Sequence, residues 1–136
     1  MAYQSPLHRR YTIETFNACF LPGIQLNQFR YYQKGDEPVG FVTWAWLTDD
    51  MAAKYQQGNF IPPPTEWNKG PNLWFIEFLA PFGNARAMIY DLRNGLLKEH
   101  IGYGLRRGTD GSVTGIKRWV GRDTLTATTG EQEMPA

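Results

Sequence analysis

Glu77 stands in the middle of LWFIEFLAPFG, residues 73–83, a run of large apolar side chains. Strand side chains alternate between two faces. Over 73–79 this alternation groups Leu73, Phe75, Glu77 and Leu79 on one face, and Trp74, Ile76 and Phe78 on the other. Both faces read as buried, as in a central strand. A carboxylate there is costly unless it is paired or protonated, so its type and place point to acid–base chemistry. The chain holds two histidines. His8 lies in SPLHRR, between Leu7 and two arginines whose charges favour the neutral imidazole, the form that acts as a base. Taken alone it reads as a solvated terminal residue. His100, beside Glu99, opens a strand and reads as a surface residue. Cys19, between Ala18 and Phe20, reads as core packing. Two histidines and one cysteine with no ligand spacing exclude a zinc site, and no G-x-S-x-G elbow offers a serine nucleophile. Glu77 and His8 remain as acid–base candidates, and only a fold can bring them together.

The elements that must do so are readable in outline. Residues 12–27 carry Ile13, Phe16, Phe20 and Ile24 at helical spacing, with Thr12 as N-cap and Pro22-Gly23 weakening the pattern. QFRYYQK and VGFVTWAWL flank GDEP and form a hairpin. Thr48 caps a short helix, DDMAAKYQQ, whose two aspartates suit a helix N-terminus. Three consecutive prolines make 58–72 a loop. The strand of Glu77 follows, then a helix over 85–99 with Met88, Leu92 and Leu96 on one face and Gly95 as a weak point. Arg86 and Arg93, seven apart, fall on one side of it. HIGYGLRR and SVTGIKRWV around Asp110-Gly111 make a second hairpin. About 122–136 reads as a flexible polar tail. The order predicts a single α+β domain over 1–136, with a mixed, mostly antiparallel sheet flanked by helices.

Composition narrows the class. Apolar residues are 42% and charged residues 20%, as in globular domains. Aromatics reach 15%, which suits a dense core or a surface for an apolar ligand. A net charge of +1 without a basic stripe excludes a nucleic-acid footprint. The lone cysteine suits the cytoplasm. MAYQSPLHRRY has no apolar signal core, and FVTWAWL is too short to span a bilayer, so no membrane insertion is expected.

Four motifs occur in order from about residue 5 to about residue 90: SPLHRRY, FLPGIQLNQFRYY, GDEPVGFVTWAWL and EWNKGPNLWFIEFLAPFG. They resemble the RTX toxin-activating lysine acyltransferases, the hemolysin-activating family. The similarity continues more weakly through LRRGTDGSVTGIKRWVG. The resemblance implies a GNAT-like acyltransferase fold. It implies transfer of a fatty acyl chain from acyl carrier protein, a co-substrate, to the ε-amine of an internal lysine on an RTX-type protoxin, with no cofactor and no metal. A homodimer is compatible with it. The family's catalytic histidine lies in its S-P-L-H-R motif, which assigns that role to His8. Its catalytic aspartate lies in a W-F-I-D motif, and here Glu77 takes the place. Glutamate keeps the charge and lengthens the arm by one methylene. Members also carry a leading segment before this motif and are longer overall, so the acceptor is where this chain is expected to differ.

Several further roles follow from that reading. The start of the 85–99 helix, with Phe82, Gly83, Asn84 and Arg86, is a candidate cradle for the pantetheine phosphate. Trp44, with Trp46 and Phe78, is a candidate lining for the acyl chain, with core packing as its competing role. Three rival functions remain. One is the same chemistry on a ribosomal peptide or another protein. The second is an idle homologue that binds acyl carrier protein or a toxin chain, to which Glu77 would point. The third is a CoA-dependent acetyltransferase, disfavoured because no Gln/Arg-x-x-Gly-x-Gly/Ala loop opens the helix.

Overall fold

The computed structural model describes residues 12–110 and 112–121. His8 and residues 122–136 lie outside them.

Helix α1, Ile13–Gln25, starts where expected: the Thr12 hydroxyl accepts a 3.1 Å hydrogen bond from Thr15 N. Its buried residues differ from the apolar spacing, for they are Cys19, Pro22 and Gly23, while Phe20 packs half-buried on Phe41 of the sheet and Ile13 is 81% exposed. Close approach explains this. A Cβ on Gly23 would lie 2.9 Å from the Thr43 side chain, so the helix rests on the sheet through its small residues. Strands β1, Phe29–Lys34, and β2, Glu37–Leu47, form the expected antiparallel hairpin, with Gly35 taking a φ of 62° at the turn. Helix α2, Asp49–Tyr55, is capped by the Thr48 hydroxyl, which accepts from Met51 N. The proline loop is pinned by Trp67, whose buried indole donates to Pro62 O at 2.9 Å. The buried Gln28 amide then donates to the carbonyls of Trp44 and Trp67.

Strand β3, Asn72–Leu79, is the middle of five, in the order β1-β2-β3-β4-β5. It pairs antiparallel with β2 and parallel with β4, Ile101–Arg107. Strand β5, Val113–Val120, closes the second hairpin against β4. Helix α3, Ala85–Asn94, links β3 to β4 and stops at Gly95, where the longer helical reading ran on to Glu99. Gly95 takes φ −121° and ψ −100°, far from helical values, and Leu97 instead folds back into the core.

The sheet separates two apolar layers. On one side, α1 and α2 pack Cys19, Ala52 and Tyr55 against Ala45, Leu47, Trp74 and Ile76. On the other, α3 packs Met88 and Leu92 against Val42, Trp44, Leu73, Phe75 and Trp119. Leu92 is 2% exposed and Tyr90 71%. Leu92→Ala is expected to cost about 2–5 kcal/mol, from lost burial plus the cavity left behind. Tyr90→Ala should stay within about 0.5 kcal/mol of the parent. Urea unfolding reads both, and equal effects would contradict this placement of α3.

Candidate functional site

Two irregularities in the sheet build the site around Glu77. The first is a β-bulge. Pairing of β2 with β3 runs Trp44↔Phe75 and then Thr43↔Glu77, so Ile76 is an extra residue. Strand β2 keeps its alternation, with Val42 and Trp44 in the α3 layer and Ala45 and Leu47 in the α1–α2 layer. Strand β3 does not. After the bulge Glu77 opposes Thr43, whose hydroxyl donates to Cys19 O, and Phe78 opposes Val42 in the α3 layer. Glu77 therefore shares the α1–α2 face with Trp74 and Ile76. Simple alternation, which grouped it with Leu73 and Phe75, is corrected by one inserted residue. The expectation of a central, buried Glu77 is met, at 6% exposure.

The second irregularity is a parting of strands. Strand β4 pairs with β3 only over Leu73–Phe75 and Gly102–Gly104. Beyond them lies a cavity of about 190 Å³ bounded by Ile76, Glu77 and Phe78 of β3 and Leu105, Arg106 and Arg107 of β4. Its wall includes Tyr55 from one layer and Trp119 from the other, so it is a slot through the sheet. A second cavity of about 240 Å³ lies on the α1–α2 side, between Cys19 and the Gly58–Ile61 loop. Glu77, Tyr55, Ile76 and Arg107 belong to both walls.

The polar neighbours of Glu77 come from three elements. Cys19 of α1 donates its thiol hydrogen to the Glu77 carboxylate. Burial pushes that thiol up to about 12 from its ordinary 9.0, the Glu77 charge and hydrogen bond add to the rise, and Arg107 opposes it. Tyr55 of α2, whose hydroxyl approaches Ile76 O at 3.5 Å, is pushed up by burial and then by Glu77, with Arg107 again opposing. Arg107 of β4 donates to Gly58 O at 3.1 Å, which ties the strand end to the loop. Cys19 and Tyr55 therefore stay protonated at neutral pH as neutral groups beside a buried carboxylate, the thiol donating to it and the hydroxyl turned to Ile76 O. Cys19 is not a nucleophile here, because the thiolate is the reactive form.

This makes an alkaline limit to stability. Between about pH 9 and 12 the folded chain holds a Cys19 proton that the unfolded chain has lost, so stability falls as pH rises through that window. Tyr32 and Tyr55, both raised above 10.0, act in the same direction at higher pH. The melting temperature should drop above about pH 9, less steeply in Cys19→Ser, and Cys19 should resist alkylation near pH 7.5 until the chain is unfolded. A wild-type melting profile level up to pH 11, or rapid alkylation of folded protein, would refute this.

The other candidates lie elsewhere. Trp44 is buried in the α3 layer, its ring edge-on to Phe75 at 6.4 Å. Phe82 is 52% exposed, Gly83 takes a φ of 83°, Asn84 precedes α3 without a side-chain cap, and Arg86 is exposed in its first turn. None of these five lines either cavity beside Glu77. Arg93 donates to Val120 O at 3.1 Å, a bond to β5 that Arg86 does not share. His100 is exposed, with its ring against Trp46 at 5.2 Å. Tyr55 and Arg107 were not singled out from sequence. The alternating glycines of I-G-Y-G, now a bare floor under Phe75 and Trp119, were the available signal. Among the described residues no group of three or more His, Cys, Asp or Glu could hold a metal, and no helix is long and apolar enough to cross a membrane.

A buried carboxylate at a slot between parted central strands makes this the candidate active site of an α+β domain. Comparison with known proteins gives the class. Residues 1–120 match the HlyC family of RTX toxin acyltransferases, and the chain belongs to that family. It is 34% identical over 94 residues to the lysine-acyltransferase RtxC of Vibrio cholerae, covering 68% of this chain and 61% of RtxC. It is 35% identical over 89 residues to the protein-lysine myristoyltransferase HlyC of Escherichia coli, covering 65% and 52%. The uncharacterized protein sll0720 of Synechocystis is 34% identical over 104 residues, covering 75% of this chain and 71% of its own. The matched part thus spans about half to three-fifths of RtxC and HlyC.

Proposed function

We propose that this protein is a protein-lysine fatty acyltransferase that takes its acyl chain from acyl carrier protein and acts on an internal lysine of an RTX-type protoxin, in the cytoplasm. The observation that carries the reading is Glu77, held by a bulge at the slot between β3 and β4. Relatives named for lysine acylation and toxin activation support the reaction class. The mixed sheet with one parallel pair at its centre suits a GNAT-like fold.

The chemistry sets what the residues must do. At neutral pH a lysine is almost all ammonium, with roughly one in a thousand free as the amine, and only the amine attacks a thioester. His8 takes the proton as base, and Glu77 orients the imidazole and balances the imidazolium. In the alternative order His8 is acylated first, and Glu77 serves the same charge. The Cys19 thiol donates to the carboxylate as a neutral group, and the neutral Tyr55 side chain stands beside it. Backbone N–H groups of β3 beyond Phe75, which have no β4 partner in the ladder, suit an oxyanion. The slot takes the thioester end of the carrier's arm, and the start of α3 around Gly83, Asn84 and Arg86 remains the proposed contact for its phosphate.

The test offers an RTX protoxin matched donors: fatty acyl carrier protein, the same acyl group on CoA, and acetyl-CoA. Peptide mass mapping should find a fatty amide on protoxin lysine, formed best from the carrier. Preference for acetyl-CoA, or an unmodified protoxin with every donor, would refute the reading.

A further inference from the structure

The chain has five lysines, all among the described residues. Lys34, Lys54, Lys69 and Lys98 are exposed, whereas Lys117 is half-buried and lines the slot that Glu77 lines. The reason lies in the strand beside it. Lys117 on β5 pairs with Gly104 on β4, which pairs in turn with Phe75 on β3. Gly104 has no side chain, so nothing of β4 stands at that point between Lys117 and the slot. A Cβ there would already meet Trp119 at 2.9 Å. The Lys117 ammonium lies 5.9 Å from the centre of the Trp119 ring, and Trp119 stacks on Phe78 at 6.3 Å. These rings make an apolar wall beside the nitrogen.

Lys117 also lacks a counter-charge: among the described residues no carboxylate pairs with it. Its charged neighbour is another cation, Arg106. Burial, and then the Arg106 charge, lower its pKa and raise the share of free amine. A half-buried lysine nitrogen thus sits on the wall of a cavity whose proposed contents are a fatty acyl thioester.

We propose that Lys117 is a site of self-acylation, taking a fatty acyl group from the thioester bound in the slot when no acceptor protein is present. This rests on the acyltransferase reading above. The step balances without a further reagent. The Lys117 nitrogen forms a bond to the thioester carbonyl carbon, the carbon–sulfur bond breaks, and the proton lost by nitrogen goes to the departing thiolate. The product is an amide on Lys117 whose chain can lie along Trp119 and Phe78, together with the free thiol of the carrier.

The experiment incubates the full chain with fatty acyl carrier protein and no acceptor, then treats it with hydroxylamine, which removes thioesters and acyl-imidazole and leaves amides. Intact mass should rise by one acyl group, and peptide mapping should place it on Lys117, with the four exposed lysines as internal controls. Lys117→Arg should abolish the adduct and Glu77→Gln should weaken it. Acylation spread over the exposed lysines, or absent from Lys117, would overturn the proposal. If a protoxin incubated in parallel is acylated while Lys117 stays free, self-acylation fails and the transferase reading stands. If neither is modified, both fail.

Discussion

Glu77→Gln is expected to lower lysine acylation by about 10²–10³-fold while leaving the chain folded. The magnitude is typical of removing one preorganised charge or donor from a water-poor site. The substitution keeps shape and hydrogen-bonding reach and takes away only the negative charge. An imidazolium formed beside it then has no counter-charge, so the loss should fall on kcat more than on KM. Folding should be spared because the neutral amide removes a buried charge, and its oxygen can still accept from Cys19. Glu77→Asp tests geometry instead. The carboxylate meets Cys19 from α1 and the Tyr55 and Arg107 neighbourhood beyond it. Shortening the arm by one methylene withdraws it from that set, and misplacement by about 1 Å can cost about 10²-fold. Activity should fall, though less than in Glu77→Gln. Steady-state rates with carrier donor and protoxin decide the matter. Unchanged kcat in Glu77→Gln would remove the carboxylate from the chemistry.

His8→Ala should remove about 10²–10⁴-fold of the rate, the usual worth of a positioned general base, or all of it if His8 carries the acyl group. Residue 8 precedes α1, and among the described residues both apolar layers are built from those after it. The melting temperature should therefore stay close to that of the parent. Added imidazole separates this loss from a folding defect, since a small base that restores activity shows an emptied but intact site. Full activity in His8→Ala would end the proposed mechanism.

The order of elements was legible in the sequence because each carries a local signal. Thr12 and Thr48 cap helices as their types suggest, Gly35 and Asp110 sit at hairpin turns, and two apolar faces around Glu77 mark a central strand. The site's geometry was not legible, for a physical reason. Phe75, Ile76 and Phe78 are all large and apolar, so either layer accepts any of them, and the pattern does not say where an extra residue enters. Only the pairing of β2 with β3 reveals that Ile76 is inserted and that Glu77 changes face. The slot is likewise non-local, since it depends on where β3 and β4 stop pairing. Helix α1 misled in the opposite way. Its large residues repeat at helical spacing, and Phe20 does pack on Phe41 of the sheet, yet the closest contact is made by small residues, because Gly23 lies against Thr43.

The meeting of His8 with Glu77 is read most directly from a crystal structure of the full chain with acyl carrier protein bound. The imidazole should lie within hydrogen-bond distance of the Glu77 carboxylate, roughly 2.6–3.2 Å, or be joined to it by a single water, on the face that carries Cys19 and Tyr55. A well-ordered His8 farther away than one water can bridge, or on the α3 side of the sheet, would contradict the pairing.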